Sequence, residues 1–174
     1  RGNDIRGNLA NAAINVNANA SFSIASDNQV HDNAQDCIDI REGEMTISGT
    51  WHRVTSGNCP FSIVGHTWFN SPQELTIEPG VTVKFRGGAW FGVAGLLHAN
   101  GQPASRITFT SFKDDTVAGD TNGDGTATSP AGRDYTEVLL YSGGVSNTLS
   151  YCSFRYGGNS SYHSWGGWHT AEGN

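Results

Sequence analysis

Leu75-Thr76-Ile77-Glu78-Pro79-Gly80-Val81-Thr82-Val83-Lys84-Phe85 holds two short alternating runs joined by a Pro-Gly corner. Pro fixes φ near about −65° at the first corner position and Gly accepts φ > 0 at the next, which is the chemistry of a type II bend. Such a bend lets Ile77 and Val81 enter one narrow core from adjacent sides. The same alternation recurs on both sides of this stretch. Toward the N-terminus it appears in Ala13–Val16, Ser21–Ile24, Cys37–Ile40, Met45–Ile47 and Phe61–Val64. Toward the C-terminus it appears in Trp90–Val93, Leu96–His98, Ile107–Thr110, Val138–Tyr141 and Tyr151–Phe154. Alternation over four or five residues is the signature of a half-buried strand, and no longer stretch keeps a helical period. The reading is all-β.

Spacing selects among all-β architectures. Ile14, Ile38, Ile63, Val83 and Ile107 lie 24, 25, 20 and 24 residues apart, with a second or third short run inside most intervals. A repeat of about 20–25 residues with two or three strands each suits a parallel β-solenoid. A hairpin-built sandwich would instead show Asn-Gly or Asp-Gly turns every 8–12 residues or so. The single Asp-Gly, Asp124-Gly125, lies in a polar stretch, and residues 113–135 read as an insertion loop on the solenoid.

Composition agrees. Glycine supplies 23 of 174 residues, nearly twice the ordinary share of about 7%. Charged residues amount to only 15%, and the palette is short of helix formers. Ten Lys and Arg against sixteen Asp and Glu leave a formal charge of −6, which argues against a nucleic-acid partner. No apolar run approaches the roughly 18 residues of a spanning helix, so no transmembrane segment is expected.

The 75–85 stretch resembles a coil found in many bacterial right-handed parallel β-helix proteins. The resemblance continues through Ile107–Ser111, Lys113-Asp114-Asp115, Gly119–Gly125 and Tyr151–Gly158, in the same order of coil, polar insertion and coil, and covers roughly residues 45–158. It implies a right-handed parallel β-helix from an exported or cell-surface protein. Residues 1–45 match less closely, as looser preceding coils, and residues 159–174 read as an aromatic lateral loop. The whole of 1–174 is expected to be one domain, a fragment or repeat of a longer chain.

Several constellations are candidates for chemistry. Asp120-Thr121-Asn122-Gly123-Asp124-Gly125 places oxygen side chains at alternate positions, with glycine letting the backbone curl, as hard-cation loops do. Ala131 stands where an EF-hand would need its bidentate Glu, so the loop is no EF-hand. Asp114, Asp115 and Asp134 are the further ligands expected to complete a structural Ca²⁺ site, and the alternative is an ordinary solvated turn. Cys37 and Cys59, 22 residues apart, are candidates for a disulfide between neighbouring coils. Cys152 reads as a small buried hydrophobe. Tyr162, Trp165 and Trp168 are candidates for stacking sugar rings. Trp51, Trp68 and Trp90 read as wall or corner residues.

Catalysis has little to draw on. Lys84 and Lys113 are the only lysines, and Lys84, beside Val83 and Phe85, is expected to face solvent. Asp36 with Asp39 and Asp114 with Asp115 are the acidic pairs that a glycosidase reading would use, although adjacent strand residues face opposite ways. No catalytic residue is assigned. The sequence therefore favours a non-enzymatic structural module of an exported surface protein, adhesin or extracellular filament, able to self-associate through its coil ends. The alternative is a polysaccharide-binding or polysaccharide-cleaving domain.

Overall fold

The computed structural model describes residues 1–20, 24, 26–54, 58–141 and 146–158, and the backbone of 167–169. The strand expected at Ser21–Ile24 falls largely outside them, as do Tyr162, Trp165, the Trp168 side chain and most of the expected lateral loop.

The Pro-Gly corner forms as the sequence implies. Val81 N–H donates to Glu78 O at 3.2 Å, Gly80 has φ +80°, and Ile77 and Val81 are both buried. Seventeen short strands are found among the described residues. An opening segment contains β1 (Asp4–Ile5), β2 (Ala12–Val16) and β3 (Gln29–Val30). The first complete coil is β4 (Gln35–Ile40), β5 (Gly43–Met45) and β6 (Gly49–Trp51). The second is β7 (Phe61–Ile63), β8 (His66–Phe69) and β9 (Glu74–Ile77), and the third is β10 (Thr82–Phe85), β11 (Trp90–Val93) and β12 (Leu96–Asn100). The fourth is β13 (Ile107–Ser111), β14 (Glu137–Tyr141) and β15 (Thr148–Ser150), followed by β16 (Cys152–Phe154) and β17 (Gly167–His169).

Each strand pairs with its counterpart one coil away, so the sheets run along the stack. The first wall has the order β16-β13-β10-β7-β4-β2, the second β17-β14-β11-β8-β5, and the third β15-β12-β9-β6. Every pairing of these walls is parallel except β14 with β17. The molecule is an all-β parallel solenoid of about four turns without a helix among the described residues. No helix long and apolar enough to cross a membrane is found among those residues.

The core is a set of stacked rows. On the first wall Ile14, Ile38, Phe61, Val83, Phe109 and Phe154 register in sequence. On the third wall Trp51, Ile77, Ala99 and Leu149 do so. Burial of such side chains is the dominant stabilising term. Aromatic stacking adds to it where rings meet: Trp51 lies 4.7 Å from Phe61, Phe85 lies 4.3 Å from Tyr135 and Phe109 lies 4.6 Å from Phe154, all nearly parallel.

One detail of the stacking emerges, and one expected strand is shortened. Ile63 and Ile107 point inward but do not stack in the row of Ile14, Ile38 and Val83, whose partners are Phe61 and Phe109. A period of two hides a slip of two residues, because both choices face the core. The run at Met45–Ile47 ends at Met45, and Ile47 is 42% exposed. The chain turns there before Gly49 opens β6.

Candidate functional site

The insertion leaves β13 and folds over the outward face of the first wall. In register, that face carries Asn15, Asp39, Ser62, Lys84 and Thr110. The loop reaches back as far as Ala34. A Cβ on Gly123 would lie 2.6 Å from the Ala34 carbonyl oxygen, so only glycine, at φ +70°, allows this approach.

Lys84 therefore does not face solvent. It is fully buried, and its Nζ donates to Gly119 O at 2.9 Å and to Thr121 Oγ1 at 2.6 Å. Burial lowers its pKa to about 8, while the nearby Asp115 and Asp114 carboxylates act to raise it. Alternation correctly turned Lys84 away from the solenoid core, but the insertion takes the place of water.

The loop has further fastenings. Asp114 accepts from Thr110 Oγ1 at 2.7 Å and from Thr116 N and Oγ1 at 3.1 and 2.5 Å. Arg155 Nη1 lies 3.7 Å from Asp114 Oδ2, the oxygen that Thr110 bonds. Burial works against the Asp114 charge, yet hydrogen bonds from Thr110 and Thr116 and the Arg155 guanidinium hold its pKa below the usual value. Asp134 accepts from Ser111 Oγ at 2.7 Å, Lys113 Nζ at 2.9 Å and Ala131 N at 3.0 Å. Its pKa is also lowered, the Lys113 and Ser111 bonds outweighing burial. Further along the wall, Arg86 Nη2 holds Asp39 at 2.8 and 3.0 Å and its guanidinium lies 4.0 Å from the Phe112 ring. Asp36 accepts from Asn33 N and Nδ2.

Of the six expected cation ligands, the structure brings the carboxylates of three together, with Asn122 hydrogen-bonded beside them. Asp115, Asp120 and Asp124 each offer a carboxylate oxygen, all within 4.8 Å of one another. Asn122 joins them by donating from Nδ2 to Asp124 Oδ2 at 2.8 Å. Asp114 and Asp134 are directed instead to the partners named above. The Asp120 carboxylate is wrapped by backbone donors, from Gly123 and Asp124 at 2.9 and 3.2 Å on one oxygen and from Gly125 at 2.7 Å on the other. Asp115 Oδ1 and Asn122 Oδ1 are buried oxygens without a hydrogen-bond partner. Burial, together with the Asp120 and Asp124 charges, raises the Asp115 pKa despite Lys84. Three neighbouring carboxylates are hard oxygen donors of the kind that divalent cations such as Ca²⁺ take as ligands.

Cys37 and Cys59 are free thiols in this structure. Cys37 packs with Ala12 and Phe112 on the outward face, whereas Cys59 belongs to the main core. Burial raises both thiols, Cys59 to about 12. Cys152 is half-buried and donates to Ala99 O at 3.2 Å.

Fold and loop together define a parallel β-solenoid whose one wall is covered by a fastened, acid-rich insertion. No family model, curated protein or solved structure matches the chain.

Proposed function

We propose that this chain is a non-enzymatic structural module of an exported surface protein, adhesin or extracellular filament, of the bacterial kind that its 75–85 coil resembles. In this reading the Asp115, Asp120, Asn122 and Asp124 oxygens take up a structural Ca²⁺ that rigidifies the insertion. The observation that carries it is the engagement of the charged side chains. Lys84, Asp114, Asp134, Lys113 and Arg155 are tied to one another or to the wall. A general acid or base must instead be free to meet a proton of the substrate. Self-association draws on the last described coil, where Leu149, Cys152 and Phe154 are only partly buried against the core. Among the described residues β15 and β16 are edge strands of their sheets there, and unpaired edges template further pairing.

Sedimentation velocity and electron microscopy, with Ca²⁺ and with chelator, test the assembly. Concentration-dependent elongated species that Phe154→Lys abolishes are expected. A compact monomer at every concentration would overturn self-association.

A second reading, polysaccharide binding or cleavage, draws on a cleft of about 420 Å³ whose lining includes His52, Arg53, Arg106 and Arg155. Arginines suit acidic sugars. Release of unsaturated or reducing products from an acidic glycan would favour it over the structural module.

A further inference from the structure

The opening segment is joined to the stack by a small sheet of its own. Among the described residues β1 pairs with β3 alone, over two residues, apart from the three walls. Ile5 of β1 nevertheless packs, partly buried, against the main core. β1 is thus a short flap over apolar surface, and the groups that fasten it control whether that surface stays covered.

His31, directly after β3, bridges the flap to the following turn. Its Nε2 lies 3.0 Å from Asp4 Oδ1 on β1, and its Nδ1 lies 2.8 Å from Asp32 Oδ2. Arg6 Nε holds the second Asp4 oxygen at 3.2 Å. An ionised carboxylate accepts hydrogen bonds and donates none, and a neutral imidazole carries one N–H. The neutral ring therefore satisfies one of the two contacts and turns a lone pair toward the other carboxylate. Imidazolium donates to both. The two distances thus select the protonated ring. The backbone holds the three side chains in place: Gln29 N donates to Asn3 O at 2.7 Å, His31 N to Ile5 O at 3.2 Å and Gly7 N to Asp32 O at 3.1 Å.

The charges that act on the ring are those of Asp32 and Asp4. The Asp32 hydrogen bond, with the charges of both carboxylates, outweighs desolvation and raises the His31 pKa above 6.5. Arg6 is directed to Asp4, and Asp36 on β4 is directed to Asn33. The nearest residues in the chain outside the described ones, Ser21, Phe22, Ser23 and Ala25, carry no ionisable group. A group whose folded pKa is raised contributes its full stabilisation below the ordinary value and loses it as pH rises through the raised one. The fastening is therefore closed at mildly acidic pH and weakened on the alkaline side.

We propose that His31 is a pH-sensitive clasp, which as imidazolium ties Asp4 to Asp32 and holds β1 down, and which on losing its proton lets the flap open more often. The proposal is independent of the Ca²⁺ loop and of assembly through the last coil.

The test uses the full chain and two readouts by nuclear magnetic resonance between about pH 5.5 and 9. The ring nitrogens of His31 report its titration. Amide exchange at Gly7 and Gln29, expressed as protection relative to an unstructured peptide at the same pH, reports opening of β1. His31 is expected to titrate above 6.5, with Asp4→Asn and Asp32→Asn each lowering the value. Protection should fall about two- to fivefold as the ring loses its proton, the scale of an exposed ion pair. His31→Gln, which cannot take up charge, should show the weaker protection throughout. His31→Lys, which keeps a cation across this range, should show the stronger protection throughout. Circular dichroism melts report whether each variant folds, and the native titration needs no variant. Titration of His31 at or below 6.5, native protection that does not change with pH, or the same fall in His31→Gln or His31→Lys would each overturn the proposal.

Discussion

Lys84→Met keeps the length of a buried side chain and removes its charge. In the native chain Nζ makes its two hydrogen bonds to Gly119 and Thr121 under the insertion, and burial brings the pKa from 10.5 to about 8. The drop corresponds to about 3 kcal/mol against the charged form at neutral pH. An unfolded lysine keeps its proton up to about pH 10.5, whereas the folded one releases it near pH 8. Between those values the unfolded state binds more protons, so this group makes stability rise with pH. The gain amounts to about 1 kcal/mol between about pH 7 and 9, and the remainder arrives at higher pH. Cys37, Cys59 and Tyr135, whose pKa values burial raises, act in the opposite direction above their ordinary pKa values. They do so in both proteins, so the difference between native and variant isolates Lys84. Urea unfolding of both across this range is the assay, with the native chain gaining on Lys84→Met as pH rises. Amide exchange should also quicken over residues 115–125 in the variant, because the loop loses its two bonds to the wall. Parallel pH dependences for the two proteins would refute the reasoning.

The other predictions concern the loop, the core and the thiols. Ca²⁺ added to chelator-treated protein should raise the melting temperature of the native chain and leave Asp120→Asn unmoved; equal responses would remove the loop as the site. Trp51→Ala empties a buried position stacked on Phe61 and Phe91 and should cost about 3–5 kcal/mol in denaturant unfolding; a loss below about 1 kcal/mol would mean that the coil can collapse around the gap. Cys37 and Cys59 should resist thiol alkylation until the chain unfolds, since burial disfavours both thiolates; labelling of the folded chain at the unfolded rate would contradict their burial.

Much of the wall was legible in the sequence because alternation is a local property. Thr82-Val83-Lys84-Phe85 reads as a strand from its own four residues, and Pro79-Gly80 reads as its corner from backbone preference alone. Gly49-Thr50-Trp51 and His66-Thr67-Trp68-Phe69 were not read as strands. Each carries too little apolar alternation, and each is held extended by its ladder partners, Trp51 by Ile77 and Trp68 by Gly92. The Asp120–Asp124 loop was visible as a string of oxygens, yet the choice of Asp115 over Asp114 and Asp134 was not. That choice depends on Thr110, Thr116, Ser111 and Lys113 competing for the latter two.

By itself the sequence determined the class of fold, the repeat and the parity of each strand residue, because backbone propensity and a period of two act between near neighbours. The tertiary structure decided which rows stack and which outward faces meet water. Successive members of the first-wall row lie 24, 23, 22 and 26 residues apart between Ile14 and Phe109, so no fixed count finds the partner. Likewise Lys84 and Trp90 both point away from the core, and only the path of the insertion buries the first while leaving the second partly exposed. Those outcomes depend on segments distant in the chain arriving at the same face, which no local pattern records.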